Sequence, residues 1–144
     1  MRDAVIFDVD GTLCDVRGIR HLLDEPGRFH AFHTASVDCP PHAHVVGAAH
    51  EARAAGLGVL VVTARSVRFR PHTAMWLALH GVPSDAMWMR AHHDQRPDYE
   101  VKRSILARIR ERWRPVHAWD DNPAVLALWA EEGIPTTVVP GWGE

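Results

Sequence analysis

The sequence predicts a three-layer α/β domain built around a five-stranded parallel sheet, and three observations predict it. Short apolar runs alternate with stretches of helical composition along the chain, glycines stand where those stretches end, and charged or hydroxyl residues follow three of the five runs. A parallel pair of strands needs a crossover connection, so the alternation itself places helices on the sheet faces.

The first run, Ala4-Val5-Ile6-Phe7, is short, unbroken and β-branched at its centre, as a strand covered on both faces requires. It leads directly into Asp8-Val9-Asp10-Gly11-Thr12. Residues 13–41 are rich in Gly, Pro, Asp and His, close on Cys39-Pro40-Pro41, and are expected to form an irregular flap. A helix fits 44–55, with Gly56 in the position of a C-terminal cap, and the continuous apolar run 57–63 is a buried strand. A second helix fits 73–80 and stops at Gly81; residues 86–89 form a short strand. Asp98 is expected to cap a helix over 99–113, and 116–119 is the next strand. Asn122-Pro123 starts a helix that Gly133 ends, and 136–139 supplies the last strand.

Composition sets the bounds. The chain of 144 residues reads as one domain, residues 1–144, with 47% hydrophobic and 24% charged residues. No apolar run approaches the ~20 residues that span a bilayer, and Met1-Arg2-Asp3 leads into the first strand without a signal peptide. A soluble, cytoplasmic protein with no membrane partner is expected. Cys14 and Cys39 are too few for a zinc ribbon or a disulfide framework and are expected to be reduced thiols. The 11 histidines lack metal-site spacing with nearby Cys or carboxylates. A net charge of -2 excludes a polyanion binder of the basic-tail kind, so any such affinity must be local. Trp76, Trp113 and Trp129 lie among apolar helix neighbours and are core candidates.

In parallel sheets ligands bind beyond the carboxyl ends of the strands, close to where strand order reverses. The first strand ends at Asp8 and Asp10, the second at Thr63-Ala64-Arg65 and the fourth at Asp120-Asp121. Carboxylates gathered on one rim repel unless a cation offsets them, and a guanidinium beside them suits an anion. A magnesium ion, which prefers hard oxygen ligands, together with a phosphate satisfies both signs. Asp8 is then placed to attack phosphorus. Asp10, if a raised pKa holds its proton, protonates the leaving oxygen and later activates water. Thr63 offers a hydroxyl and Arg65 a planar fork to phosphoryl oxygens. Lys102 stands out because it is the single lysine beside fifteen arginines, and a compact ammonium fits against both a carboxylate and a phosphoryl oxygen.

Phe7-Asp8-Val9-Asp10-Gly11-Thr12, the Thr63 strand end, Lys102 and Asp120-Asp121, in that order and spacing, resemble the four motifs of the haloacid dehalogenase superfamily of phosphohydrolases. The resemblance implies a Rossmann-like sheet, Asp8 as nucleophile, and Asp10 as acid/base and magnesium ligand through its backbone carbonyl. It further implies Thr63 and Lys102 as phosphate holders and Asp120 as metal ligand with Asp121 beside it. No cap domain fits into residues 13–41 or 66–101, which implies an open site and favours a phosphate at the end of something large. More narrowly, the chain looks like the phosphatase domain of bacteriophage polynucleotide kinase-phosphatases, which act on 3′-phosphates of nucleic acids. Val62-Thr63-Ala64-Arg65, the paired Asp120-Asp121, the short flap and Val101-Lys102 carry that likeness. Ala64, where glycine is common, and Asn122 after the pair depart from it, as does the absence of a kinase domain, so end healing would need a separate kinase or none, and a separate kinase or ligase is the partner such a pathway would supply.

Arg65, Arg68 and Arg70 after the second strand, with Arg90 and Arg96 after the third, are expected to grip a flanking phosphate, and Phe69 to stack on a base. The arginines from 103 to 114 read as a solvated helix face. Three alternatives stand beside a polynucleotide 3′-phosphatase: a free-nucleotide or sugar-phosphate phosphatase, a phospho-acceptor domain, and a non-catalytic binding module.

Overall fold

A computed structural model describes residues 1–24 and 29–140. Five strands, β1 (Arg2–Phe7), β2 (Gly58–Ser66), β3 (Ala86–Arg90), β4 (Trp113–Asp120) and β5 (Thr136–Val138), form one parallel sheet in the order β3-β2-β1-β4-β5. The chain builds outward from β1 to β3, then returns to the other side of β1 as β4. Strand order therefore reverses at the centre, where Asp8 and Asp120 emerge side by side.

The helices α1 (Phe29–Ala35), α2 (Ala43–Ala54), α3 (Arg70–Leu79), α4 (Asp98–Ile109) and α5 (Pro123–Glu131) cover the sheet. Alternate residues of β1 and β2 point to opposite faces, and this period of two makes the layers. Val5, Phe7, Val59 and Val61 pack with Val45 and Ala49 of α2 and Trp76 and Leu77 of α3. Ala4, Ile6, Leu60 and Val62 pack with Ile105 and Ile109 of α4 and Val125 and Trp129 of α5. Each large apolar side chain fully buried there contributes about 1.5–3 kcal/mol, and helices on both sides let both faces of β1 be apolar.

Several boundaries move from those expected. The described part of the flap, 13–24 and 29–41, contains α1 and short 3₁₀ turns at Arg20–Asp24 and Ser36–Asp38, where an irregular stretch was expected, and residues 25–28 of that stretch lie outside the described residues. Phe32 is the reason: buried beside Leu13, Val16 and Cys39, it gives a short helix a core contact that residue composition does not show. Pro71 lies in the first turn of α3, where its missing N–H costs nothing, so that helix starts at Arg70. The α4 helix ends at Ile109, and Trp113 lies in β4 paired with Arg2, instead of on a helix face. Pro115 can join a strand because the register slips between Ala4 and Val5, a bulge that absorbs its absent donor. Asp98 begins α4 but does not cap it; its carboxylate accepts from Arg90. Asn122 does cap α5, its Oδ1 accepting from the Ala124 N–H at 3.0 Å. No helix among the described residues is long and apolar enough to cross a membrane.

Candidate active site

The turn after β1 is held by its own backbone. Leu13 N–H donates to the Asp8 carbonyl at 3.2 Å, Cys14 N–H to Val9 at 2.9 Å and Gly11 N–H to Cys14 at 2.8 Å. Gly11 has φ +80°, and a Cβ there would collide with the Asp121 carboxylate, so glycine is needed twice over. Thr12 closes the turn by donating from Oγ1 to Asp8 Oδ2 at 3.1 Å.

Lys102 rises from the first turns of α4 into this turn. Its Nζ donates to Asp8 Oδ1 at 3.0 Å and to Asp120 Oδ2 at 2.8 Å, and only 2% of the residue is exposed. The backbone N–H groups of Asp121 and Asn122 donate to the other Asp120 oxygen at 2.9 and 3.0 Å. Asp121 accepts from Arg20 of the flap at 3.3 Å. Burial and the neighbouring Asp120 charge push the Asp8 carboxyl well above the usual carboxylate range, despite Lys102. Burial and Asp120 raise Asp121 as well. Burial works against the Lys102 ammonium, yet Asp120 and Asp8 outweigh it and hold its pKa above the ordinary value. Asp8, Asp120 and Asp121 each offer an oxygen within 4.8 Å of the others. Three buried carboxylates around one ammonium leave excess negative charge, and a small divalent cation with oxygen ligands fits that deficit.

A second ion pair sits next to the first. Arg65, at the end of β2 and 2% exposed, holds Asp10 through two parallel hydrogen bonds, Nε to Oδ2 at 2.9 Å and one Nη to Oδ1. Its other Nη donates to Thr73 Oγ1 of α3 at 3.1 Å, and Thr73 in turn donates to the Phe69 carbonyl at 2.9 Å. Burial favours a protonated Asp10, but the Arg65 charge and its hydrogen bonds win and lower the pKa. The raised pKa expected from the sequence is thus reversed, because the fork expected to face phosphate is turned onto Asp10. Thr63 is buried, and its Oγ1 accepts from the Arg65 N–H at 3.1 Å.

These groups open on a cleft of about 710 Å³ whose wall includes Asp8, Asp10, Thr63, Ala64, Lys102 and Asp120. Asp121 and Arg65 reach it too, so the strand-end residues singled out from the sequence meet with Lys102 at one site. Arg68 lies outside the cleft wall, exposed on its rim. Phe69 does line the cleft but is 6% exposed and packs against the His33 ring at 4.8 Å, so it is a wall residue and not a free stacking platform. Arg90 and Arg96 are tied into their own loop. Sequence reasoning missed Thr73, Arg20 and His33. For Thr73, a hydroxyl on the buried side of an apolar helix was the available signal; nothing local marks the other two.

Comparison with curated protein sequences gives no match. Solved structures do match. A chain described in "Structure of the Pnkp1/Rnl/Hen1 RNA repair complex" superposes with a TM-score of 0.84 at 25% identity, covering 96% of this chain and 42% of that one. A second, "Structure of Pnkp1/Rnl/Hen1 complex", gives 0.85 at 26%, covering 96% and 46%. This chain thus spans under half the length of either. The class C acid phosphatase from Bacillus anthracis with tungstate bound shares the fold, with a TM-score of 0.72 at 13% identity over 99% of this chain and 68% of that one. Residues 2–141 match the family model of the polynucleotide kinase PNKP phosphatase domain, and the chain accordingly belongs to that family of haloacid dehalogenase superfamily phosphatases.

Proposed function

We propose that the protein is a magnesium-dependent polynucleotide 3′-phosphatase that works through an aspartyl-phosphate on Asp8. The observation that carries this reading is the Asp8, Lys102, Asp120 cluster at the strand ends, with Asp10 beside it, opening on a cleft larger than a phosphate needs. Asp8, Asp120 and Asp121, with the Asp10 backbone carbonyl, would hold the cation, whose chemistry is to neutralise charge between an anionic nucleophile and an anionic ester.

An Asp8 oxygen attacks phosphorus, the bond from phosphorus to the ester oxygen breaks, and an acyl-phosphate forms on Asp8. Lys102 and the Thr63 hydroxyl are placed to steady the phosphoryl oxygens. Arg65 keeps Asp10 ionised in the free protein, so the proton for the leaving oxygen arrives on the phosphomonoester, whose second pKa is about 6, and passes through Asp10. Asp10 then takes a proton from the water that attacks the acyl-phosphate. Phosphate leaves and Asp8 is restored.

Family membership and the likeness to the Pnkp1 chain support a nucleic-acid end as substrate, with other end-healing enzymes as pathway partners. A free nucleotide is the second reading, favoured by the internal pairing of Arg90 and Arg96. The test is phosphate release with magnesium from matched 3′- and 5′-phosphorylated oligonucleotides and the corresponding mononucleotides. Preference for the 3′-phosphorylated oligomer, lost in Asp8→Asn, is expected. Equal or better mononucleotide turnover establishes the second reading, and retention of most activity by Asp8→Asn removes the covalent mechanism.

A further inference from the structure

Arg90 and Arg96 line the cleft outside the two ion-pair clusters, and Arg68 and Arg70 flank the wall residue Phe69, so the fold divides these four arginines into two unlike pairs. Arg90, at the end of β3, donates from Nε to the Ala64 carbonyl at 2.8 Å, from one Nη to the carbonyls of Asp94 and Arg96 at 2.9 and 2.6 Å, and from the other to Asp98 at 2.7 Å. Four of the five donors of a guanidinium are thereby used. Arg96 forks onto Asp94 at 3.0 and 2.7 Å and reaches Ser104 at 3.0 Å. This wall carries Asp94 and Asp98 together with its cations, so a phosphodiester approaching it meets carboxylates of its own sign.

The β2 to α3 connection, which adjoins that wall through the pairing of Ser66 with Arg90 and the contact of Ser66 with His92 at 3.3 Å, is different. Arg68, in the connection from β2 to α3, and Arg70, the first residue of α3, are exposed, and among the described residues neither guanidinium has a hydrogen-bond or ion-pair partner. They flank Phe69, which together with Ser66 lines the cleft, and the Arg68 N–H is fixed by Ser66 Oγ at 3.2 Å. No acidic residue occurs between Glu51 and Asp85, so the chain around them supplies no counter-charge. Uncompensated cations on the rim of a phosphate site are the electrostatic footprint of a polyanion.

We infer that a single polynucleotide strand, held by its terminal phosphate, leaves the cleft across the β2 to α3 connection with its next phosphodiesters on Arg68 and Arg70, and that the Arg90 and Arg96 wall supplies no ionic grip. The inference rests on the polynucleotide reading above and adds the path of the strand.

The test compares kcat/KM on a 3′-phosphorylated oligonucleotide with that on the matching nucleoside 3′-monophosphate, across a salt series, with thermal melts to verify folding. In the wild type the oligonucleotide is preferred. The double variant Arg68→Ala, Arg70→Ala is expected to lower that preference by about tenfold and to flatten the salt slope by about 0.7 per lost phosphate contact. Arg96→Ala is expected to leave the preference unchanged. An unchanged preference in the double variant, or an equal loss in Arg96→Ala, overturns the strand path while leaving the polynucleotide reading intact. A wild type that does not prefer the oligonucleotide overturns both.

Discussion

At the scale of single residues, Lys102 binds the site together. An ammonium with its partners removed from water is costly to lose from one side only, since the carboxylates remain buried without it. Lys102→Ala is expected to lower unfolding free energy by about 3–5 kcal/mol in a metal-free urea titration. His33 sets a pH dependence of stability. Burial is the largest cause that lowers its pKa from 6.5 to about 4, so the folded protein prefers the neutral ring. Above pH 6.5 folded and unfolded states are alike in this respect. As pH falls from 6.5 to about 4 the unfolded chain takes up the proton first, and stability is lost across that window. Urea titrations at several pH values are expected to show this decline, and His33→Phe to flatten it.

At the scale of elements, α3 governs the proposed acid/base, Asp10, without touching it. Thr73 fixes one arm of the Arg65 fork and Arg65 fixes Asp10, so a helix and a strand end cooperate to orient the acid/base. Thr73→Val is expected to lower kcat about tenfold with a smaller change in KM, from the loss of one buried hydrogen bond of about 1–2 kcal/mol to a charged group. Thr73→Ser, which keeps the hydroxyl, is expected to restore most of kcat; equal losses in both variants would assign Thr73 to packing alone. The turn after β1 behaves likewise as one piece. Gly11→Ala is expected to abolish turnover, because its φ of +80° and the Asp121 carboxylate both exclude a side chain.

At the scale of the whole molecule, the sheet brings three buried carboxylates around one ammonium, and a bound divalent cation is expected to stabilise the fold. A magnesium concentration a hundredfold above Kd is expected to add about 2.7 kcal/mol and raise Tm by several degrees, and Asp120→Asn to remove that increment. Chelator is expected to reverse it. The parallel α/β order and the gathering of three charged strand ends, with Asp8, Lys102 and Asp120, on one rim were legible in the chain itself. Apolar runs, glycine stops and Asp8-Val9-Asp10-Gly11-Thr12 are local patterns, and the crossover rule then puts their carboxyl ends on one rim. Tertiary structure alone decided which partner each charged side chain takes. Arg65 meets Asp10 across 55 positions, Arg20 meets Asp121 across 101, and Arg90 folds onto its own loop while Arg68 does not. A guanidinium has the same local signature whether it faces phosphate, a buried carboxylate or solvent, so its role is settled by the packing that chooses its neighbour.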